Sequence, residues 1–215
     1  MSGSDLVWQR RIRNWAGALG GLLPWISLVS AWFWSLAHGA PDGFWSGLSI
    51  SETYYVSPAL AGILTAASLV LMCYDGYDRQ DDLVTTLSGV FGLGIVLFPC
   101  SCPVAGDRVG FFQLPAGASN VVHTTSAITF FCLLAYNDIF LFTKSDKTAP
   151  GRKKRIRNAV YVACGVGMGL GALLLVLPVS FPAKIWWAET VMLTFFAVSW
   201  LVKGGAFPFL NDPEE

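Results

Sequence analysis

Charge is what this chain has least of. Asp, Glu, Lys and Arg make up 13% of its 215 residues, about half of the ~25% usual in soluble domains. With 54% hydrophobic residues, too little polar surface remains for a separate water-soluble domain. Histidine is nearly missing as well, with only His38 and His123. Two histidines without a His-x-x-x-His spacing do not make a zinc-hydrolase helix, and a bis-His haem would need His38 at membrane depth. No phosphate-cradling Walker motif and no nucleophile elbow occur. These gaps argue against most soluble enzyme classes.

What is present is long apolar sequence. Six stretches, at roughly 17–37, 54–74, 83–99, 120–142, 158–179 and 184–203, approach the ~20 residues that a helix needs to cross a bilayer. The chain therefore reads as all-α, a polytopic integral membrane protein whose six transmembrane helices form one compact domain over residues 1–215. No cleavage site closes the first apolar run, so it reads as a retained helix. Lys and Arg divide by loop. Arg10, Arg11, Arg13, Arg79, Lys203 and the run from Lys144 through Lys147 to Arg157 would share one side, leaving Arg108 and Lys184 on the other. Cationic residues in short loops stay cytoplasmic, so both termini are expected inside, at a bacterial inner membrane. The basic loop is then a topology signal attracted to anionic headgroups, and no nucleic-acid partner is expected. Trp15, Trp45, Tyr54, Tyr55, Trp186, Trp187 and Trp200 fall near span ends, as an interfacial aromatic belt would.

Loops and glycines add detail. The outer loop at 100–119 carries Pro103, Gly106, Gly110, Pro115 and Gly117 and reads as irregular, with Phe111 and Phe112 dipping toward the interface. Span five holds Gly165, Gly167, Gly169 and Gly171, two small-xxx-small pairs suited to close helix approach. Packing inside the monomer is the plain use of that face, and a homo-oligomer or a partner membrane protein is the other. Cys73, Cys132 and Cys164 read as small apolar residues. Cys100 and Cys102 flank Ser101 where span three ends; a disulfide, free thiols and a soft-metal pair all remain open there.

Ionisable residues against a membrane are functional candidates by default. Glu52 precedes span two, His123 opens span four, and Glu189 lies five residues into span six. All three fall in the outer half, so a ligand-binding pocket is expected from Glu52, Tyr55, His123, Ser126 and Glu189. Ser49 and Glu52 also fit a capping box, which alone would account for Glu52. Glu189 has no basic neighbour except Lys184 and calls for a partner; His123, directly or through one water or ion, is the simplest. Any metal would draw on His123, Glu189, Glu52, Cys100 and Cys102, and no cofactor is specified. Asp138, beside Asn137, is expected at the inner headgroups near Lys144.

Several short segments carry a resemblance. Ile50-Ser51-Glu52 opens span two, a polar turn runs from Tyr74 to Asp78, a His-x-x-x-Ala start to span four runs from His123 to Ala127, and an acidic residue lies in span six. Their order resembles the broad group of six-span proteins that includes the Frag1/DRAM/Sfk1 family and bacterial DUF998 proteins. Ser-Ile-Ser-x-x-Tyr-Tyr at 49–55, Gly-Tyr-Asp at 76–78, Val-His-x-x-Ser-Ala at 122–127 and Ser-Trp-Leu-x-Lys-Gly at 199–204 resemble, more closely, uncharacterised bacterial membrane proteins. The resemblance implies a compact six-helix bundle without established chemistry. The related ceramidase- and Per1-like hydrolases bind zinc through a Ser, an Asp and several His, and the paired His are missing here. The reading that follows is a non-enzymatic membrane protein that binds a lipid, a small ligand or partner helices through an outer polar pocket. The alternatives are a metal-dependent intramembrane lipid hydrolase of the ceramidase/Per1-like type and a small transporter.

Overall fold

The computed structural model describes residues 3–39, 48–145 and 151–211. Trp45, Lys147 and the middle of the loop at 38–53 lie outside the described residues. Six α-helices are present among the described residues: α1 (Gly3–Ala37), α2 (Ala59–Met72), α3 (Arg79–Leu97), α4 (Ala116–Tyr136), α5 (Arg152–Val176) and α6 (Lys184–Lys203). Four segments are long and apolar enough to cross a membrane: Val7–Ala37, Ala116–Leu141, Arg152–Val176 and Lys184–Lys203. α2 falls short because a 3₁₀ turn, Ser51–Tyr55, replaces the start of the second apolar stretch. Pro58 explains the break, since the residue before a proline is pushed out of helical geometry, and Pro58 itself stands at the N-cap of α2. α3 opens with Arg79, Asp81 and Asp82, which leaves it less than a full apolar span.

Other boundaries shift for local reasons. α1 starts well before residue 17 and carries Pro24 in its interior. The loop before α4 contains a small hairpin, β1 (Arg108–Val109) paired antiparallel with β2 (Leu114–Pro115), so α4 begins at Ala116 rather than at 120. α4 ends in a π-helical turn, Asn137–Leu141. α3 starts where the Asp78 side chain accepts hydrogen bonds from the Gln80 and Asp81 N–H groups, both at 3.0 Å, satisfying donors that a helix start leaves open.

Each helix packs mainly on its two neighbours in chain order, and α6 closes back on α1. The interior is apolar, with Leu23, Leu60, Leu64, Phe130, Leu193 and Phe196 in one core. The outward face is apolar too: Trp15, Leu22, Phe33, Ile128, Leu170 and Val176 are all exposed, the arrangement of a lipid-facing surface. Trp186 and Trp200 do not join an aromatic belt. Both are buried, and Trp200 meets Tyr74 and Phe142 edge-on at 5.3 Å.

One seam is looser than the rest. α5 lies tight on α6, where a Cβ at Gly171 would come within 3.2 Å of the Ala188 carbonyl and one at Gly167 would strike the Phe195 ring. α5 meets α4 mainly through the π-helical turn, where a Cβ at Gly165 would stand 3.0 Å from the Ala135 carbonyl and strike Ile139. A Cβ at Gly169 would meet nothing within 4 Å. The four glycines therefore do not share one role. Three allow close approach, while Gly169 faces a gap that opens where α4 and α5 part.

Candidate functional site

Glu189 projects from the second turn of α6 toward the chain entering the 3₁₀ turn. Its Oε2 accepts from the Ile50 N–H at 2.6 Å and the Ser49 hydroxyl at 3.3 Å, and its Oε1 lies 3.0 Å from the Ser51 hydroxyl. Irregular backbone against apolar helices survives only where its polar groups find partners, and this carboxyl supplies them. Ser49 is not part of a capping box: Ile50 flanks the 3₁₀ turn without a side-chain cap, and the Ser49 hydroxyl points to Glu189.

His123 lies two turns into α4 and is 5% exposed, so it does not merely open that helix. Its Nδ1 is 3.1 Å from the Ile95 carbonyl and 3.0 Å from the Phe98 carbonyl. Carbonyl oxygens only accept, so Nδ1 carries a proton and caps the open end of α3. Nε2 faces the Ser51 hydroxyl at 3.1 Å. Glu189 and His123 are thus joined through Ser51. Ser51 has one hydroxyl proton and two neighbours that need it. That proton can go to the Glu189 carboxylate or to Nε2 of a neutral imidazole, so Ser51 links the two groups.

This cluster forms the polar end of a cavity of about 390 Å³ between α4 and α5. Ser49, Ser51, Glu52, Asn120, His123 and Glu189 line that end. The rest is apolar, lined by Ile128, Phe131, Met168, Gly169, Ala172 and Leu175. Ile128, Cys132, Gly169 and Ala172 are exposed, so the cavity is a groove open on the apolar flank. A smaller void of about 50 Å³ lies behind it among Leu60, Leu64, Phe130 and Leu193, and it also touches Ser51 and Glu189.

The other expected site residues separate. Glu52 lines the groove half-buried, with no hydrogen bond or ion pair to any described residue. Tyr55 does not line the groove; its hydroxyl donates to the Cys100 carbonyl at 2.5 Å. Ser126 is buried against α3, where a Cβ at Gly94 would touch its hydroxyl. Cys100 and Cys102 are free thiols, and burial pushes Cys100 up to about 12. Among the described residues no three His, Cys, Asp or Glu side chains gather as metal ligands. His38 stacks on Trp34 at 4.3 Å, away from the groove.

The opposite end holds a second polar cluster that sequence reasoning missed. Asn137 and Asp138 are fully buried, not at a headgroup surface, because the π-helical turn rotates them inward against α5 and α6. Among the described residues neither Asp138 oxygen nor either Asn137 amide atom has a hydrogen-bond partner of ordinary length. Ser199, near Asp138, donates to the Phe196 carbonyl at 2.9 Å. Asp81 is also buried; it accepts from Tyr77 N–H at 2.9 Å and Tyr74 hydroxyl at 3.3 Å. Lys203 lies over the Phe142 ring at 4.8 Å. Lys144 pairs with Asp78 at 2.6 Å rather than with Asp138. The signal for this cluster was two adjacent polar residues, Asn137 and Asp138, inside an otherwise apolar run.

No protein-family model, curated protein or solved structure matches this chain.

Proposed function

We propose that this chain is a six-span bundle of the bacterial inner membrane, with both termini cytoplasmic, that binds one membrane amphiphile in the groove between α4 and α5. On that orientation Glu189, Ser51 and His123 stand in the outer leaflet, and Lys203, Asp138 and Asp81 in the inner one. α2 and α3 complete the count of spans, the 3₁₀ turn and polar first turns making up what those helices lack in apolar length. The resemblance to Frag1/DRAM/Sfk1 and DUF998 proteins is compatible with this reading.

The observation that carries it is the gradient along one cavity. A polar end of hydroxyls, an imidazole and two carboxyls passes into an apolar slot open to the hydrocarbon side. A lipid-like molecule has the same gradient, and it reaches such a site by lateral diffusion. The volume of about 390 Å³ lies within the ~300–1,000 Å³ of small-molecule sites, enough for a head and the upper part of one chain. No reaction is assigned. One observation favours a second, hydrolytic reading: the Ser51 hydroxyl stands beside an imidazole nitrogen, as a nucleophile beside its base would. The competing contact to Glu189 weakens it.

Native mass spectrometry of the purified protein tests binding. The expected result is a co-purified amphiphile, recovered chemically intact, that is lost in Gly169→Leu while the melting temperature is unchanged. A fully occupied Gly169→Leu variant would refute the groove as the site, and recovery of a cleaved product would favour the hydrolytic reading. Cysteine-accessibility labelling tests orientation: a cysteine at residue 108 is expected to label from outside, and labelling from inside only would overturn it.

A further inference from the structure

We infer that the head group taken by the groove is a cationic amine and carries no phosphate. The inference rests on the groove being an amphiphile site, and adds the chemistry of the head.

The polar end contains two carboxyls, Glu52 and Glu189, and no Lys or Arg. Its one basic group among the described residues is His123, whose Nδ1 faces the Ile95 and Phe98 carbonyls and whose Nε2 faces Ser51. Neither ring nitrogen is left for a ligand. The two cations expected on this side are used elsewhere. Arg108 donates to the Gln113 carbonyl at 2.9 Å, and Lys184 donates to the carbonyls of Leu175 at 3.2 Å and Leu177 at 2.7 Å. Neither lines the groove. A phosphate placed here would face the Glu52 carboxylate with no Lys or Arg among the described lining residues to offset it, a like-charge arrangement that recognition sites use for exclusion.

The carboxyls are not equivalent. Glu189 is filled by Ile50, Ser49 and Ser51. Glu52 faces the same space with no partner among the described residues. A half-buried carboxylate without a partner is costly, and an ammonium group seated against it removes that cost and gains a charge-assisted hydrogen bond. Thr124 and the Ser49 and Ser51 oxygens add acceptors at the same end. The set therefore suits a donor-rich cation.

Three probes of equal chain length test the inference on the delipidated full-length protein in phosphatidylcholine nanodiscs: dodecylamine, dodecyl phosphate and dodecyl maltoside. Dodecylamine is expected to bind at least about tenfold more tightly than dodecyl phosphate, a difference of about 1.4 kcal/mol. Glu52→Gln should erase that preference with the melting temperature unchanged, and Gly169→Leu should weaken all three probes. Equal affinity for amine and phosphate, or an amine preference that survives Glu52→Gln, would overturn the head-group assignment. If maltoside binding still responds to Gly169→Leu, that failure leaves the groove reading intact. If no probe responds to Gly169→Leu, the groove reading fails and this inference with it.

Discussion

At one end of the molecule Glu189 receives hydrogen bonds from a backbone N–H and two serine hydroxyls. At the other end Asp138, fully buried, has no hydrogen bond of ordinary length to either oxygen among the described residues, with the Ser199 hydroxyl and the Lys203 ammonium nearby. Both are single acids on apolar helices, and the difference lies in what each helix faces. α6 turns Glu189 toward non-helical chain, whose donors are free. The π-helical turn aims Asp138 at α5 and α6, whose backbone donors are already used within their own helices. A buried carboxyl thus holds the fold together where irregular backbone meets it and strains the fold where only helices do.

Stability measurements in detergent should give opposite signs at the two ends. Glu189→Leu leaves the Ile50 N–H and the Ser49 hydroxyl without this acceptor, while Ser51 can turn to His123, and should cost about 1–3 kcal/mol for each orphaned donor. Asp138→Leu should instead raise stability by about 1–3 kcal/mol, the scale of an unsatisfied buried polar group. Equal losses from both would erase the contrast. The faces of α5 sharpen it next. Gly167→Leu and Gly171→Leu press on Phe195 and on Met192 beside the Ala188 carbonyl and should each cost about 1–3 kcal/mol by overpacking. Gly169→Leu should melt with the wild type. Ser51→Ala removes only the bridge between Glu189 and His123 and should cost about 1 kcal/mol; an unchanged melting curve would mean that the bridge contributes nothing.

The smallest effect is expected at the surface. Lys144 hydrogen-bonds Asp78 and holds its carboxyl below the ordinary value of 3.8, with the Asp81 and Gln80 N–H groups adding to the shift. A carboxyl with a lowered folded-state pKa stabilises fully above the unfolded value, and the contribution fades as pH falls through the folded one. Asp78→Asn should therefore flatten the acid limb of the stability curve slightly. The pair is solvent-accessible, so the change should be small and shrink further in salt.

Much of this was readable in advance, and the gaps have physical causes. α6 ends at the residues where apolar sequence begins and stops, Lys184 and Lys203. The second stretch ran on too far because hydropathy does not register the break that Pro58 imposes. Glu189 and His123 stood out as ionisable residues in apolar sequence. Ser51 was visible in its motif but not as their bridge, because rotation about each helix axis decides that contact. The same blindness hid Asp138: one π-helical turn moves a residue from a headgroup position to the interior. The glycines of α5 looked like one packing face, and only the spreading of α4 from α5 separates Gly169 from the others.

The site itself is tested most directly by photo-crosslinking. A dodecylamine derivative with a diazirine in its chain would be bound to the purified protein, irradiated, and its adducts mapped by mass spectrometry. Adducts are expected on the groove walls, at Ile128, Phe131, Cys132 or Ala172, and should disappear in Gly169→Leu. Adducts confined to the exposed outer faces, such as Trp15 and Phe33 of α1 or Val176 of α5, with none in the groove, would contradict the account.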